Sequence, residues 1–241
     1  MFDHVTIRVS DRAASERFYE TVLATLGLPR GSADGEATRW EEFAIAPAGD
    51  RAAVTRRVHI GFVAGSRAQV DAFWRAGVDA GHRDDGAPGP RPQYRSDYYG
   101  GFLLDPDANS AEAVHHGALP PRRAIDHLWL RVADVPAATR LYEIIAPHAG
   151  LDPRRPKPDH TWIKGAAGSF SLVAGEPTQH VHMAFSADDP ATVDAFHRAA
   201  TEAGYGEDRP PGERSVHGRA GYAASVLDRD GNTIELVSRA A

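Results

Sequence analysis

The chain repeats itself, and a repeat this long dictates two versions of one domain rather than a solenoid. Shifted by 123 positions, Asp3-His4 falls on Asp126-His127, Arg8-Val9 on Arg131-Val132 and Tyr19-Glu20 on Tyr142-Glu143. The same shift, without gaps, lays Val58-His59 on Val181-His182 and Val70-Asp71-Ala72-Phe73 on Val193-Asp194-Ala195-Phe196. It also sets Asp105, Asp107, Asn109 and Glu112 on Asp228, Asp230, Asn232 and Glu235. Prolines and arginines interrupt the pattern between Gly117 and Arg123. The expected division is a first domain over 1–117, a linker over 118–123 and a second domain over 124–241. So short a linker favours pairing of the two domains within the chain and leaves further oligomerisation open.

Each copy reads as two βαβββ halves. Val5, Ile7 and Val9 alternate with His4, Thr6 and Arg8, the period of a strand with one apolar face. A helix follows, with Asp11 as its cap and Ala14, Phe18 and Val22 at four-residue steps along its buried stripe. The plan then recurs with Val58, Ile60 and Phe62 alternating with His59, followed by a helix from about Ser66 to Gly81. In the second copy Asp189 caps the equivalent helix, Pro190 opens it and Gly204 stops it. Pro/Gly-rich stretches at Gly86–Pro92 and Arg209–Gly212 are expected to be rim or lid loops.

Composition narrows the chemistry. A net charge of -6 without a basic run argues against nucleic acid or an anionic membrane surface as partner, and favours a small-molecule substrate. With no cysteine, disulfides and thiolate sites are excluded, so metal ligands can come only from imidazole and carboxylate. The first residues show no signal-peptide pattern and no apolar run is long enough to span a bilayer, so a cytoplasmic location is expected.

Three residue types stand at fixed intervals in both copies. His4 and His59 are 55 residues apart and His59 and Glu112 are 53 apart; His127, His182 and Glu235 repeat both intervals. Strand parity puts all six on the face opposite the apolar one. Any one of them alone reads as an ordinary strand residue. Yet the set survives twice while neighbours diverge, as from Thr6 to Trp129. Two imidazoles and a carboxylate make a facial triad with open positions, which is a catalytic rather than a closed structural kind of site. Whether each triad closes within one copy or is completed across the pair stays open at this point.

These residues carry a resemblance. Asp3-His4-Val5, Tyr19, Val58-His59-Ile60 and the run from Tyr99 through Asp105-Pro-Asp-Ala-Asn109 to Glu112 together resemble the vicinal oxygen chelate superfamily. In the second copy Ile125-Asp-His127, Val181-His182-Met183 and Leu227 through Asp230-Gly-Asn232 to Glu235 do the same. The match is similar to the glyoxalase, bleomycin-resistance and dioxygenase group. The resemblance implies an α+β fold of two tandem domains, each built from paired βαβββ units in a cupped sheet with helices outside. It also implies a divalent ion (Fe, Ni, Zn or Mn) that chelates adjacent substrate oxygens. A metal-dependent lyase or isomerase is the leading expectation. The alternatives are an Fe(II) dioxygenase using the same triad and a drug-binding protein without chemistry, although relatives of that last type generally lack the triad.

The sequence departs from specific members. Glyoxalase I adds a carboxylate from the last strand of its first half, whereas Phe43-Ala-Ile-Ala and Phe170-Ser-Leu-Val offer none, with Glu41 and Glu42 nearby. Extradiol dioxygenases have a tyrosine where Phe102 and Ser225 stand. In the turn before Glu112, Ala108 occupies the place that Gly231 takes in copy two. Beyond the triads, Arg8 and Arg131 are candidates to hold a substrate anion. Tyr99 and Tyr222 are candidate acid/base groups. His180 is a possible substitute ligand, and His115-His116 are expected in solvent.

Overall fold

A computed structural model describes residues 1–31, 37–49, 53–120, 123–154, 156–166, 168–216 and 218–239. The prolines and arginines expected to form the linker fall partly outside this set, at 121–122. Four quarters follow one another along the chain. They are β1 (Phe2–Val9), α1 (Arg12–Ala24), β2 (Thr38–Trp40) and β3 (Phe43–Pro47); then β4 (Val58–Val63), α2 (Arg67–Asp79), β5 (Arg83–Pro90), β6 (Tyr99–Leu104) and β7 (Ser110–His115). The second copy gives β8 (Ile125–Val132), α3 (Val135–Ala149), β9 (Asp152–Arg154), β10 (His160–Lys164) and β11 (Ser169–Ala174). It ends with β12 (His182–Ala187), α4 (Pro190–Glu202), β13 (Gly206–Val216), β14 (Arg219–Leu227) and β15 (Thr233–Arg239). Strand order is β13-β14-β15-β12-β1-β3-β2 in one sheet and β5-β6-β7-β4-β8-β11-β10-β9 in the other. This is the α+β plan of two tandem domains. Among the described residues no helix is long and apolar enough to cross a membrane.

Contacts divide the chain into two compact units: Met1–Thr6 with Leu130–Ala241, and Ile7–Trp129. Each unit thus takes the opening of one copy's first strand together with nearly the whole of the other copy, from the end of that copy's own first strand onward. In the first unit β1 runs antiparallel to β12, with His4 opposite Ala184 and Thr6 opposite His182. On its other side β12 pairs in parallel with β15, with Ala184 opposite Glu235. In the second unit β4 and β7 pair in parallel, Gly61 facing Glu112.

Local chemistry explains the elements. Asp11, Ser66, Asp134 and Asp189 each accept a hydrogen bond from the backbone N–H three residues on, which satisfies an otherwise orphaned helical donor. Gly204, at φ 87, stops α4 as expected. In α1 the buried stripe runs through Ser15, Phe18, Tyr19, Val22 and Leu23, with Ala14 at its margin. Fully burying each large apolar side chain there contributes roughly 1.5–3 kcal/mol before entropy is charged.

One expectation is corrected. The Pro/Gly-rich stretches are strands, not loops: Gly86–Pro90 lies in β5 and Arg209–Gly212 in β13. Both strands stand at sheet edges, where a proline leaves no ladder hydrogen bond unmade. Their register also shifts at Asp84/Gly86 and Gly86/Gly89, and at Glu207/Arg209 and Arg209/Gly212, which are the irregularities that absorb such residues.

The hairpins before Glu112 and Glu235 are built alike. Asp105 Oδ1 accepts from the N–H groups of Asp107 and Asn109, and Asn109 Oδ1 accepts from Val58 N. Asp228 and Asn232 repeat these bonds, with Val181 N as the last donor. The turn demands a left-handed residue, which Gly231 supplies at φ 79 and Ala108 adopts at φ 64. An alanine methyl costs about 1 kcal/mol there. Ala108→Gly is therefore expected to stabilise the protein by up to about 1 kcal/mol in urea denaturation, and an unchanged midpoint would show that the turn has relaxed around the methyl.

Candidate metal centres

The six candidate ligands gather into two groups, each drawn from both copies of the repeat. His4 joins His182 and Glu235, and His127 joins His59 and Glu112. Each group falls wholly within one compact unit, because the strand that supplies the first histidine lies beside the half-domain of the other copy. Completion across the pair is thus the arrangement found. His4 Nε2 stands 3.3 Å from His182 Nε2 and 3.5 Å from Glu235 Oε2, and His182 Nε2 is 2.9 Å from the same oxygen. In the second group Glu112 Oε2 lies 2.9 Å from His59 Nε2 and 3.4 Å from His127 Nε2.

Small residues make room between the ligands. A Cβ on Gly61 would overlap the His127 ring, so glycine is required there for that ring's position. The equivalent place in the first unit holds Ala184, beside His4 and Glu235.

Each group is oriented from behind. Asp3 Oδ1 takes the Nδ1–H of His4 at 2.8 Å, and Asp126 Oδ2 takes that of His127 at the same distance. His59 Nδ1 lies 3.1 Å from Ser110 Oγ, which donates to Asp85 Oδ2. Fixing Nδ1 in this way turns Nε2 toward the group. The aspartates are in turn held differently. Arg239 Nε and Nη2 clasp Asp3 at 2.7 and 2.5 Å, whereas His116 Nε2 approaches Asp126 at 3.3 Å. His116 is therefore buried, not in solvent as expected, because Asp126 and the ring of Tyr98 enclose it.

The tyrosine that adjoins the second group is Tyr98, one residue before the one that sequence reasoning singled out. Tyr98, 7% exposed, donates its O–H to Glu112 Oε1 at 2.8 Å. Tyr99 and Tyr222 point to the other side of their strands and bond Asp71 of α2 and Asp194 of α4, at 2.8 and 2.9 Å. They tether strand to helix, and the structure does not bring them to the triads. Asp71 and Asp194 are themselves matched by the repeat, which explains why the tyrosines match. In the first unit Gly221 stands at the position of Tyr98.

Of the remaining candidates, neither Arg8 nor Arg131 belongs to the converging groups. Each lies four residues past its histidine, roughly 13 Å along the strand. Their backbone N–H groups bond Thr55 and Thr178, and the stem of Arg131 packs on Gly175. His180 precedes β12 with φ 60, so strand parity does not carry to it. Glu42 Oε1 accepts from the N–H groups of Ala124 and Ile125, which ties it to the start of β8.

Burial and hydrogen bonding set the charge of the two groups differently. Burial works against ionisation of Glu112, yet hydrogen bonds from His127 and His59 bring its carboxyl down to about 2. For His127, burial again opposes the charge, but Asp126 and Glu112 outweigh it and raise the imidazole to about 9. His4 differs. There burial prevails over the pull of Asp3, with His182 adding repulsion, and the ring is held below its ordinary value. Glu235 is lowered against burial, chiefly by His182 and His4, with Arg214 adding a smaller pull.

Removing the Tyr98 hydroxyl strips a buried carboxylate of a hydrogen bond, so Tyr98→Phe is expected to cost about 1.5–3 kcal/mol of stability by urea denaturation. Tyr99→Phe, which loses a partly exposed bond, should stay within about 0.5 kcal/mol. The reverse ranking would return the role to Tyr99.

Comparison with known proteins agrees with this plan. The sequence pattern of the Glyoxalase/Bleomycin resistance protein/Dioxygenase superfamily matches residues 1–113 and again 124–236. No curated protein matches the sequence significantly. Among solved structures, glyoxalase I from Zea mays aligns over 98% of this chain and 92% of its own, at 20% identity and a TM-score of 0.68. A putative dioxygenase from Bacillus subtilis subsp. subtilis str. 168 aligns over 100% and 85%, at 14% identity and a TM-score of 0.66. At such identities the likeness is one of fold. The double match of the sequence pattern goes further: the chain belongs to the Glyoxalase/Bleomycin resistance protein/Dioxygenase superfamily, with two tandem domains.

Proposed function

We propose that the protein is a metal-dependent enzyme of the lyase or isomerase type that acts on a small oxygenated substrate at two His-His-Glu centres. The observation that carries this reading is the spacing of the donor atoms. Ligand atoms about 2.0–2.2 Å from a shared ion stand about 3.0–3.5 Å from one another. The measured separations of 2.9, 3.3 and 3.5 Å in one group and 2.9 and 3.4 Å in the other fit that requirement. Donors of this nitrogen and oxygen mixture suit a divalent first-row ion.

His4, His182 and Glu235 would hold one ion, and His59, Glu112 and His127 the other. Bound there, such an ion supplies Lewis-acid polarisation of substrate oxygens. The chain's own residues prepare the site. Asp3 and Asp126 each accept from Nδ1, so each anchored ring turns Nε2 inward, and His127 must shed its second proton before it can act as a ligand. Tyr98 occupies Glu112 Oε1 and directs Oε2 alone toward the histidines. With Glu42 committed to backbone N–H groups, three protein ligands per centre leave positions for substrate oxygens.

Elemental mass spectrometry of protein purified without chelator tests the reading. About two ions per chain are expected, with one lost in Glu112→Gln and the other in Glu235→Gln. A metal-free protein that stays empty after reconstitution would overturn it.

A second outcome follows from the histidines. An imidazole must be neutral to bind metal. At pH 7.5 His127 therefore releases about one proton on metal binding, and the affinity of its centre climbs as pH rises toward 9. His4, already lowered, releases about none. Calorimetric titration of Glu235→Gln and Glu112→Gln in buffers of different ionisation enthalpy reads both numbers.

A further inference from the structure

The two centres have the same ligand types but not the same walls. Around His59, Glu112 and His127 stand four aromatic side chains. Trp129 lies 5.6 Å from the His59 ring and 6.4 Å from that of His127, and Phe102 lies 6.0 Å from His59. Tyr94 packs edge-on against Trp129 at 5.5 Å and against Tyr98 at 5.2 Å. Tyr94 is 45% exposed, the large apolar side chain that this unit leaves most open to water.

The repeat supplies the control. At the positions of Trp129, Phe102 and Tyr98 the other centre has Thr6, Ser225 and Gly221. Thr6 lies opposite His182, and Ser225 lies opposite Glu235 and donates to Asp208. Three aromatic rings on one side correspond to two hydroxyls and a hydrogen atom on the other. Duplication began with identical walls, so one set has been rebuilt around an unchanged ligand triad. A wall of ring faces and edges favours a flat apolar group by stacking and by releasing water from both surfaces. A wall of hydroxyls and small residues offers hydrogen bonds and no such surface.

From this difference we infer that the centres are specialised for substrate. The His59/Glu112/His127 centre takes oxygen chelators that carry an aromatic or similarly flat apolar group, read by Trp129, Phe102 and Tyr94. The His4/His182/Glu235 centre takes small polar chelators without one. The inference rests on the metal reading above and adds a substrate class to each centre.

Two probes with one chelating head separate the possibilities: benzohydroxamic acid and acetohydroxamic acid, titrated calorimetrically into zinc-loaded Glu235→Gln and Glu112→Gln proteins. With only the aromatic-walled centre intact, in Glu235→Gln, benzohydroxamate is expected to bind about tenfold tighter than acetohydroxamate and to quench Trp129 fluorescence. With only the other centre intact, in Glu112→Gln, the two should bind equally. Adding Trp129→Thr to Glu235→Gln should abolish the preference while zinc content and thermal midpoint are kept. Equal preference in the two proteins, or a preference that survives Trp129→Thr, overturns the inference and leaves the metal reading standing. Failure of both proteins to take up zinc overturns the metal reading and this inference with it.

Discussion

A carboxylate kept out of water must be answered by charge and hydrogen bonds, and Glu112, 1% exposed, sets the terms for everything near it. Its Oε2 is met by two imidazoles and its Oε1 by the Tyr98 hydroxyl. One of those imidazoles is itself backed by Asp126, so a second buried carboxylate is introduced and must be met by His116. Glu235, His4, Asp3 and Arg239 form the corresponding chain in the other unit. Strand parity, Gly61 and the hairpin turns all serve to bring these few charges within hydrogen-bonding reach. Neighbours that miss by an ångström would leave an unpaired charge in the interior.

The two chains of charge end differently, and the difference reaches the ligands. Arg239 is a permanent cation with a planar fork matched to Asp3. His116 is a ring that also stacks on Tyr98 at 5.6 Å, which couples the rear of its centre to the residue holding Glu112. Duplication has thus kept the His-His-Glu sets and varied what orients and surrounds them. Identical donor sets with unlike supports are the expected result when ligand geometry is constrained more tightly than its surroundings.

Much of this was legible in residue order. Period-two alternation put the six candidate ligands opposite the apolar faces of their strands, Asp11 and Asp189 marked two helix starts, and Ala108 opposite Gly231 in the repeat exposed a turn that demands a positive φ. What stayed hidden concerns neighbours rather than faces. Parity says which way His4 points but not which strand lies beside it, so exchange of first histidines between copies could not be read. Matching across the repeat favoured Tyr99, a tether to α2, over Tyr98, whose counterpart is a glycine. The asymmetric residue carried the information, and a search for sameness passes over it. Prolines and glycines at 86–90 resembled a loop because nothing in the sequence announces that a strand lies at a sheet edge.

Since each centre borrows its first histidine from the other copy, the copies hold one another hostage. Cut at the linker, the chain would yield two pieces, each with one complete set of ligand types and neither with the neighbour that assembles them. A gene built this way cannot shed one half and keep an assembled His-His-Glu group in the other unless the remaining half finds a twin. Duplication is ordinarily a licence for one copy to decay; here strand exchange revokes it, and inheritance must carry both halves together.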